Sequence, residues 1–176
     1  APPLFDLTSL QREANRRFSW SARRTLSAPQ RCYDRHKILT YPRTSSRCLP
    51  SDYQDTVTET LGSLRDAPSK LSNGSDGEIA DYARAAVNLL DRGLENVARI
   101  FDDAGISDHF AIIPTGNLPE SELSGDDKRL FDLVTRRFLG AFHPPARWER
   151  VERITRVGEA DFRTRARALM EPGWRA

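Results

Sequence analysis

The sequence predicts a mainly α-helical protein with a few short β-strands, opening on a helix-turn-helix followed by a wing. Three observations carry that expectation. Apolar residues recur every three or four positions through several segments, as on one face of a helix. The β-branched runs are short and bounded by proline or glycine. There is no glycine-rich phosphate loop, so nothing points to a nucleotide-binding sheet.

Ala1-Pro2-Pro3 is extended, because residues before proline avoid the helical region. Leu10, Ala14 and Phe18 predict a helix over 9–18, with Thr8 and Gln11 as its capping box. Ser19 or Ser21 can cap a second helix over 22–35, turning Ala22, Leu26 and Tyr33 inward. Pro29 lies inside it and should kink it or shift its start. Lys37–Tyr41 reads as a strand, which completes the winged order. Ser51 and Gln54 form a capping box for a third helix with Val57, Leu61 and Leu64 inward. Residues 66–77 have turn composition and predict a mobile loop. A fourth helix over 78–92 turns Ile79, Tyr82, Ala86, Leu89 and Leu90 inward. Val97–Phe101 is a strand or a helix end, and Phe110–Ile113 is a short strand stopped by Pro114. A helix from Ser124-Gly125-Asp126 to Phe142 has Leu130, Val134, Phe138 and Phe142 on one face and ends at Pro144-Pro145. Beyond Trp148 the tail reads as two strands around Gly158.

With 38% hydrophobic and 30% charged residues, the 176-residue chain suits one globular domain, or one domain with pieces of a neighbour. No apolar run approaches the ~20 residues that span a bilayer, and no signal-peptide pattern opens the chain. Its start at Ala1 rather than Met suits a processed or excised piece. Cys32 and Cys48 are too few for a disulfide framework or a metal cage, which points to a reducing, intracellular setting. The net charge of +2 hides an asymmetry. Residues 1–50 hold ten Lys/Arg against three Asp/Glu, and residues 51–108 hold five against twelve. A polyanion-binding face on one side would explain this, and so would a solvated arginine-rich helix surface.

The stretch around Tyr41 carries the chemistry. A phenol has a reference pKa near ~10 and is a weak nucleophile until its anion is stabilised. Arg43, two residues on, can hold two phosphate oxygens in its fork and lowers the cost of both phenolate and a phosphoryl-transfer transition state. Thr44, Ser45 and Ser46 add hydroxyls. The arrangement favours attack by Tyr41 on a phosphodiester, while spacing alone leaves a packing or rim tyrosine open.

Tyr41-Pro42-Arg43-Thr44-Ser45-Ser46-Arg47 resembles the Tyr-x-Arg-Thr-Asp-Ser motif of type IA DNA topoisomerases, most of all the bacterial topoisomerase III branch. Asp108-His109-Phe110-Ala111-Ile112-Ile113-Pro114-Thr115 resembles that family's His-x-Ala-Ile-x-Pro-Thr. The opening Pro2 to Asn15, the stretch from Leu130 to Ala146 and the tail from Phe162 to Trp174 are similar to family segments in the same order, and 66–98 is the least family-like part.

The resemblance implies an enzyme that cuts one DNA strand, keeps a 5′-phosphotyrosyl bond, passes another strand through the gap and reseals. It implies Tyr41 as nucleophile and Arg43 on the scissile phosphate. It also implies His109, Thr44 and Ser46 as phosphate or DNA contacts, although Thr44 and Ser46 suit turn shaping better than chemistry. His109 also has a reading as a core histidine beside 110–113, and His36 and His143 read as surface residues. The family's Mg²⁺ site, a Glu and an Asp-x-Asp on a separate domain, has no counterpart in these residues, so Mg²⁺ is expected in the full-length enzyme and no metal in this fragment. The implied layout is a tyrosine-bearing domain over 1–147, with 1–8 and 148–176 as edges of a neighbouring arch domain. The implied partners are a single-stranded region of DNA and the remaining domains of the same enzyme, in a bacterial cytoplasm at the nucleoid and with no membrane. The isolated fragment is expected to bind DNA weakly and not to relax it. Ser45 stands where the family places Asp, and Pro29 interrupts a helix the family leaves smooth. A winged-helix module that only binds duplex DNA and a degenerate homologue are the alternatives. The Arg and His-x-x-Arg pattern of tyrosine recombinases is not found.

Overall fold

The structure is a computed structural model that describes residues 1–70, 77–118, 123 and 125–175. It contains six α-helices among those residues and one two-stranded antiparallel sheet, in keeping with the mainly helical expectation.

Helix α1 (Leu7–Phe18) starts two residues earlier than its apolar period suggests, because its cap is Asp6 rather than Thr8. The Asp6 carboxylate accepts from Ser9 N at 2.6 Å, and Ser9 Oγ accepts from Asp6 N at 3.2 Å, so the capping box is reciprocal. Ser19, in the left-handed region at φ 56°, ends α1 and donates its N–H to Asn15 O. Ser21 is the cap of α2 (Ala22–Asp34). The helix continues through Pro29, and its buried stripe is Thr25, Ala28, Pro29 and Cys32. Ala22 is exposed, and Leu26 and Tyr33 are half-buried, so the inward face is rotated from the one expected.

The expected strand at 37–41 does not form. Leu39 makes a single bridge to Pro114, which has no N–H for a ladder, and Lys37 turns the chain at φ 56°. Phe110–Ile113 likewise makes one bridge, Ile112 to Phe5, and Leu49 pairs with Phe101. After a 3₁₀ turn over Ser51–Tyr53, α3 (Gln54–Lys70) buries Val57, Leu61 and Leu64 as expected. The Ser51–Gln54 box does not form; Ser51 N donates to Asp103 Oδ1 instead. Of the expected 66–77 loop, residues 66–70 instead continue α3 through Pro68 to Lys70 and Gly77 begins α4, while 71–76 lie outside the described residues.

Helix α4 (Gly77–Arg92) packs on α3, and Val97–Phe101 resolves as a helical turn, α5 (Val97–Ile100). Helix α6 (Gly125–Ala141) lies against α2 and α4. From Leu130 to Ala141 it buries residues on nearly every side, which marks it as the central helix; its expected cap, Ser124, lies outside the described residues. Strands β1 (Arg147–Val157) and β2 (Ala160–Glu171) pair around Gly158 as a ribbon exposed along both strands, in one register from Trp148 to Val157 with a shift between Arg147 and Trp148.

Candidate active site

Tyr41 lies on an irregular segment, yet the backbone there is closely held. Thr40 N donates to Ile113 O at 3.0 Å, and the buried Thr40 Oγ1 donates to Ala111 O at 2.9 Å while accepting from Ile113 N at 3.0 Å. A side chain thus replaces part of the missing strand ladder. Lys37 O, at the left-handed turn, accepts from Thr115 Oγ1 at 2.7 Å and from Asn117 Nδ2 at 3.0 Å. On the far side, Leu7 N donates to Thr44 O and Ile112 N to Phe5 O, so the segment is threaded between the start of the chain and the stretch after His109.

This threading brings the two resemblance motifs together. The Tyr41 and His109 rings lie 4.3 Å apart between centroids, tilted at 48°. Tyr41 is half-buried and His109 exposed, so neither sits in the core. Tyr33 of α2 meets Tyr41 edge-on at 5.4 Å, with Lys37 Nζ 5.6 Å from the Tyr33 centroid. Arg43 is exposed, and its recorded bond is a neutral one, Nε donating to Gln30 Oε1 at 3.4 Å; it has no carboxylate partner among the described residues. That leaves a guanidinium two residues from the phenol with its charge unmatched.

Thr44 and Ser46 are placed differently from the phosphate contacts that the resemblance implies. Both are buried and their hydroxyls face the protein. Thr44 Oγ1 donates to His109 O at 2.7 Å and accepts from Ser46 N at 3.0 Å. Ser46 Oγ donates to Gly105 O at 2.8 Å and accepts from Cys48 N at 3.1 Å. These bonds shape the turn and fix the His109 backbone against it. Ser45, between them, is exposed.

Arg47 at the end of the motif donates Nε to Asp6 Oδ2 at 2.9 Å, tying the site to the cap of α1. Burial would raise the Asp6 carboxyl, but hydrogen bonds from Ser9 and the Arg47 guanidinium hold it below the usual carboxylate range. Burial pushes the Cys32 thiol up to about 12, and the nearby Asp127 acts in the same direction. His36 and His143 are half-buried rather than at the open surface. His36 Nε2 is 3.7 Å from Asp127 Oδ2, and burial, with Arg92 nearby, lowers the His143 pKa.

Sequence reasoning missed Tyr33, Thr40 and the Asp6–Arg47 pair as parts of the site. Tyr33 and Thr40 had only nearness to the Tyr41 motif as a sequence signal, and Arg47 lies within that motif, but its partner Asp6, 41 positions away, had none. Among the described residues, no three His, Cys, Asp or Glu side chains gather as a metal would require.

A family model described as DNA topoisomerase matches residues 1–176. DNA topoisomerase 3 of Bacillus subtilis is 37% identical over 177 residues, covering 100% of this chain and 23% of that protein. DNA topoisomerase 3 of Shouchella clausii is 41% identical over 178 residues, covering 99% and 22%. The structure of full-length topoisomerase I from Thermotoga maritima superposes with a TM-score of 0.60 at 21% identity, covering 99% of this chain and 26% of that one. The chain therefore spans less than a quarter of the length of the curated relatives named. The collinear motifs, the helical fold and a family match over the whole of this chain agree: this chain belongs to the DNA topoisomerase family, on its type IA, topoisomerase III-like side.

Proposed function

We propose that this chain is the tyrosine-bearing part of an enzyme that changes DNA topology by cutting and resealing one strand. The observation that carries the reading is the meeting of the Tyr41 and His109 rings at 4.3 Å, with the exposed Arg43 guanidinium two residues away. In the forward step the Tyr41 oxygen attacks the scissile phosphorus. The bond to the 3′-oxygen breaks, the phenol loses its proton, and the departing 3′-hydroxyl gains one. Attack by that hydroxyl on the phosphotyrosine reverses the step. Arg43 balances the charge that grows on the phosphoryl oxygens, and His109 hydrogen-bonds one of them. Thr44 and Ser46 act through the turn, keeping His109 beside the phenol.

The substrate is a single-stranded region of DNA. Residues that would hold Mg²⁺ belong to other parts of the polypeptide, and no step above is routed through that ion. Residues 1–147 form the tyrosine domain, and the ribbon over 148–176 belongs with the rest of the enzyme. One ribbon face supports this, since Val151, Val157, Phe162 and Ala166 stand exposed together on it.

The test uses the full-length protein with Mg²⁺ and negatively supercoiled plasmid. Tyr41→Phe is expected to abolish both relaxation and the covalent protein–DNA adduct. Relaxation equal to the parent protein would overturn the assignment.

A further inference from the structure

Strands β1 and β2 form a ribbon whose two faces differ in charge. Side chains alternate between faces along a strand, and paired positions share one. Arg150 lies opposite Arg167, Glu152 opposite Arg165, Ile154 opposite Arg163, and Arg156 opposite Asp161. This face therefore carries five guanidinia and two carboxylates. The other face is mainly apolar, with Glu149 and Arg153 as its charges along the same length.

The carboxylates on the basic face are already taken. Glu152 is shared, with Arg163 Nε at 3.2 Å and Arg165 Nε at 2.9 Å, and Asp161 accepts from Arg156 Nε at 2.6 Å. Arg167 lies over the Trp148 ring at 4.8 Å, where Arg175 also approaches at 5.7 Å. Arg150 has no ion-pair or hydrogen-bond partner for its side chain among the described residues. Two like charges directly across a strand pair destabilise it unless an anion lies between them. On α2, by contrast, Arg24 and Arg31 are paired with Asp126 and Asp127 of α6, while the exposed Arg23 has no ion-pair partner among the described residues.

We propose that the arginine face of the ribbon is a second nucleic-acid contact, gripping the phosphate backbone through Arg150 and Arg167. It rests on the DNA substrate proposed above but not on the chemistry at Tyr41. Charge complementarity selects this occupant. Five arginines against two acids repel a basic surface, and the guanidinium fork fits phosphate oxygens. The row Arg163, Arg165, Arg167 repeats every second residue, and Trp148 and Ile154 lie beside it.

The experiment measures binding of the full-length protein to a labelled oligonucleotide, single-stranded and duplex, across a salt series. The R150Q/R167Q double variant is compared with R153Q, which removes the same kind of charge from the opposite face. Two lost phosphate contacts should reduce the slope of log affinity against log salt by about 1.5. R153Q should leave the slope unchanged. The steeper loss, on single strand or on duplex, identifies the form of nucleic acid held. An unchanged slope in the double variant, or an equal fall in R153Q, would overturn the proposal. A lower melting temperature with an unchanged slope would assign the face to another part of the polypeptide and overturn it equally. The covalent adduct at Tyr41, assayed on the same proteins, separates failure of this inference from failure of the proposed function.

Discussion

Arg43 and Ser45 are the residues whose roles separate most clearly by measurement. Arg43 stands exposed with a single neutral partner, so its charge is available to a transition state rather than tied up in the fold. In the full-length protein, Arg43→Ala is expected to lower single-turnover DNA cleavage by about 10²-fold or more while weakening binding far less. A proportional loss of both would assign it to binding alone. Ser45 is exposed beside it and its side chain makes no hydrogen bond among the described residues, so Ser45→Asp in the full-length protein supplies a carboxylate without disturbing packing, and equal or higher relaxation activity is expected. Thr44 is the opposite case. Thr44→Val leaves the His109 carbonyl and the Ser46 N–H without their partner in a buried turn, a loss on the order of 2 kcal/mol by urea unfolding. Cleavage should fall with it, because the His109 backbone loses its tether.

At the level of elements, a single cap or turn fixes some joins, beside the packing of α4 on α3 and of α6 on α2. The return from β2 to the body passes through Gly173 at φ 51°, where Trp174 N donates to Pro144 O at 3.0 Å and the Trp174 ring packs near Gly140. A Cβ at Gly173 would lie 2.5 Å from Pro144 O and 2.6 Å from Pro145 O, both backbone atoms that cannot swing aside. Gly173→Ala should therefore cost more than about 1 kcal/mol in urea unfolding, with α6 and the ribbon loosening together. The same principle explains the elements that departed from expectation. Apolar period located α3, α4 and α6 because it depends on near neighbours in the chain. It placed the start of α1 late because the cap was decided by Asp6, which precedes the period. It also proposed strands at 37–41 and 110–113, where hydroxyls from Thr40 and Thr115 take the backbone bonds a ladder would have used.

Across the whole molecule, charge is redistributed relative to the linear sequence. The basic opening third is partly neutralised by α6, through Arg24 with Asp126 and Arg31 with Asp127, rather than by the acidic middle. Within α1, Arg16 and then Arg17 hold the Glu13 carboxyl down from 4.5 to about 2, against the opposing effect of burial. A carboxyl depressed in the folded state stabilises the protein above its unfolded value and loses that contribution as pH falls through the folded one. Thermal stability should therefore decline as pH drops from 4.5 toward 2, and Glu13→Gln should flatten that decline. A variant with the parent's acid profile would show that the pairing is too exposed to matter.

The amino-acid sequence by itself determined which segments become most of the helices and which short motifs mark the proposed site, because helical period and short motifs are local properties. Tyr41, Arg43 and His109 could be named from it. Only the tertiary structure decided that the Tyr41 and His109 rings touch, that Thr44 and Ser46 face inward, and that Arg24 and Arg31 of α2 are matched by α6 while Arg150 and Arg167 face each other across the ribbon. Thr44 and His109 are 65 positions apart, and no local period reports a contact closed over that length of chain. It forms when packing of α6 and the start of the chain leaves one place where the backbone donors of 40–48 and 109–115 can satisfy each other.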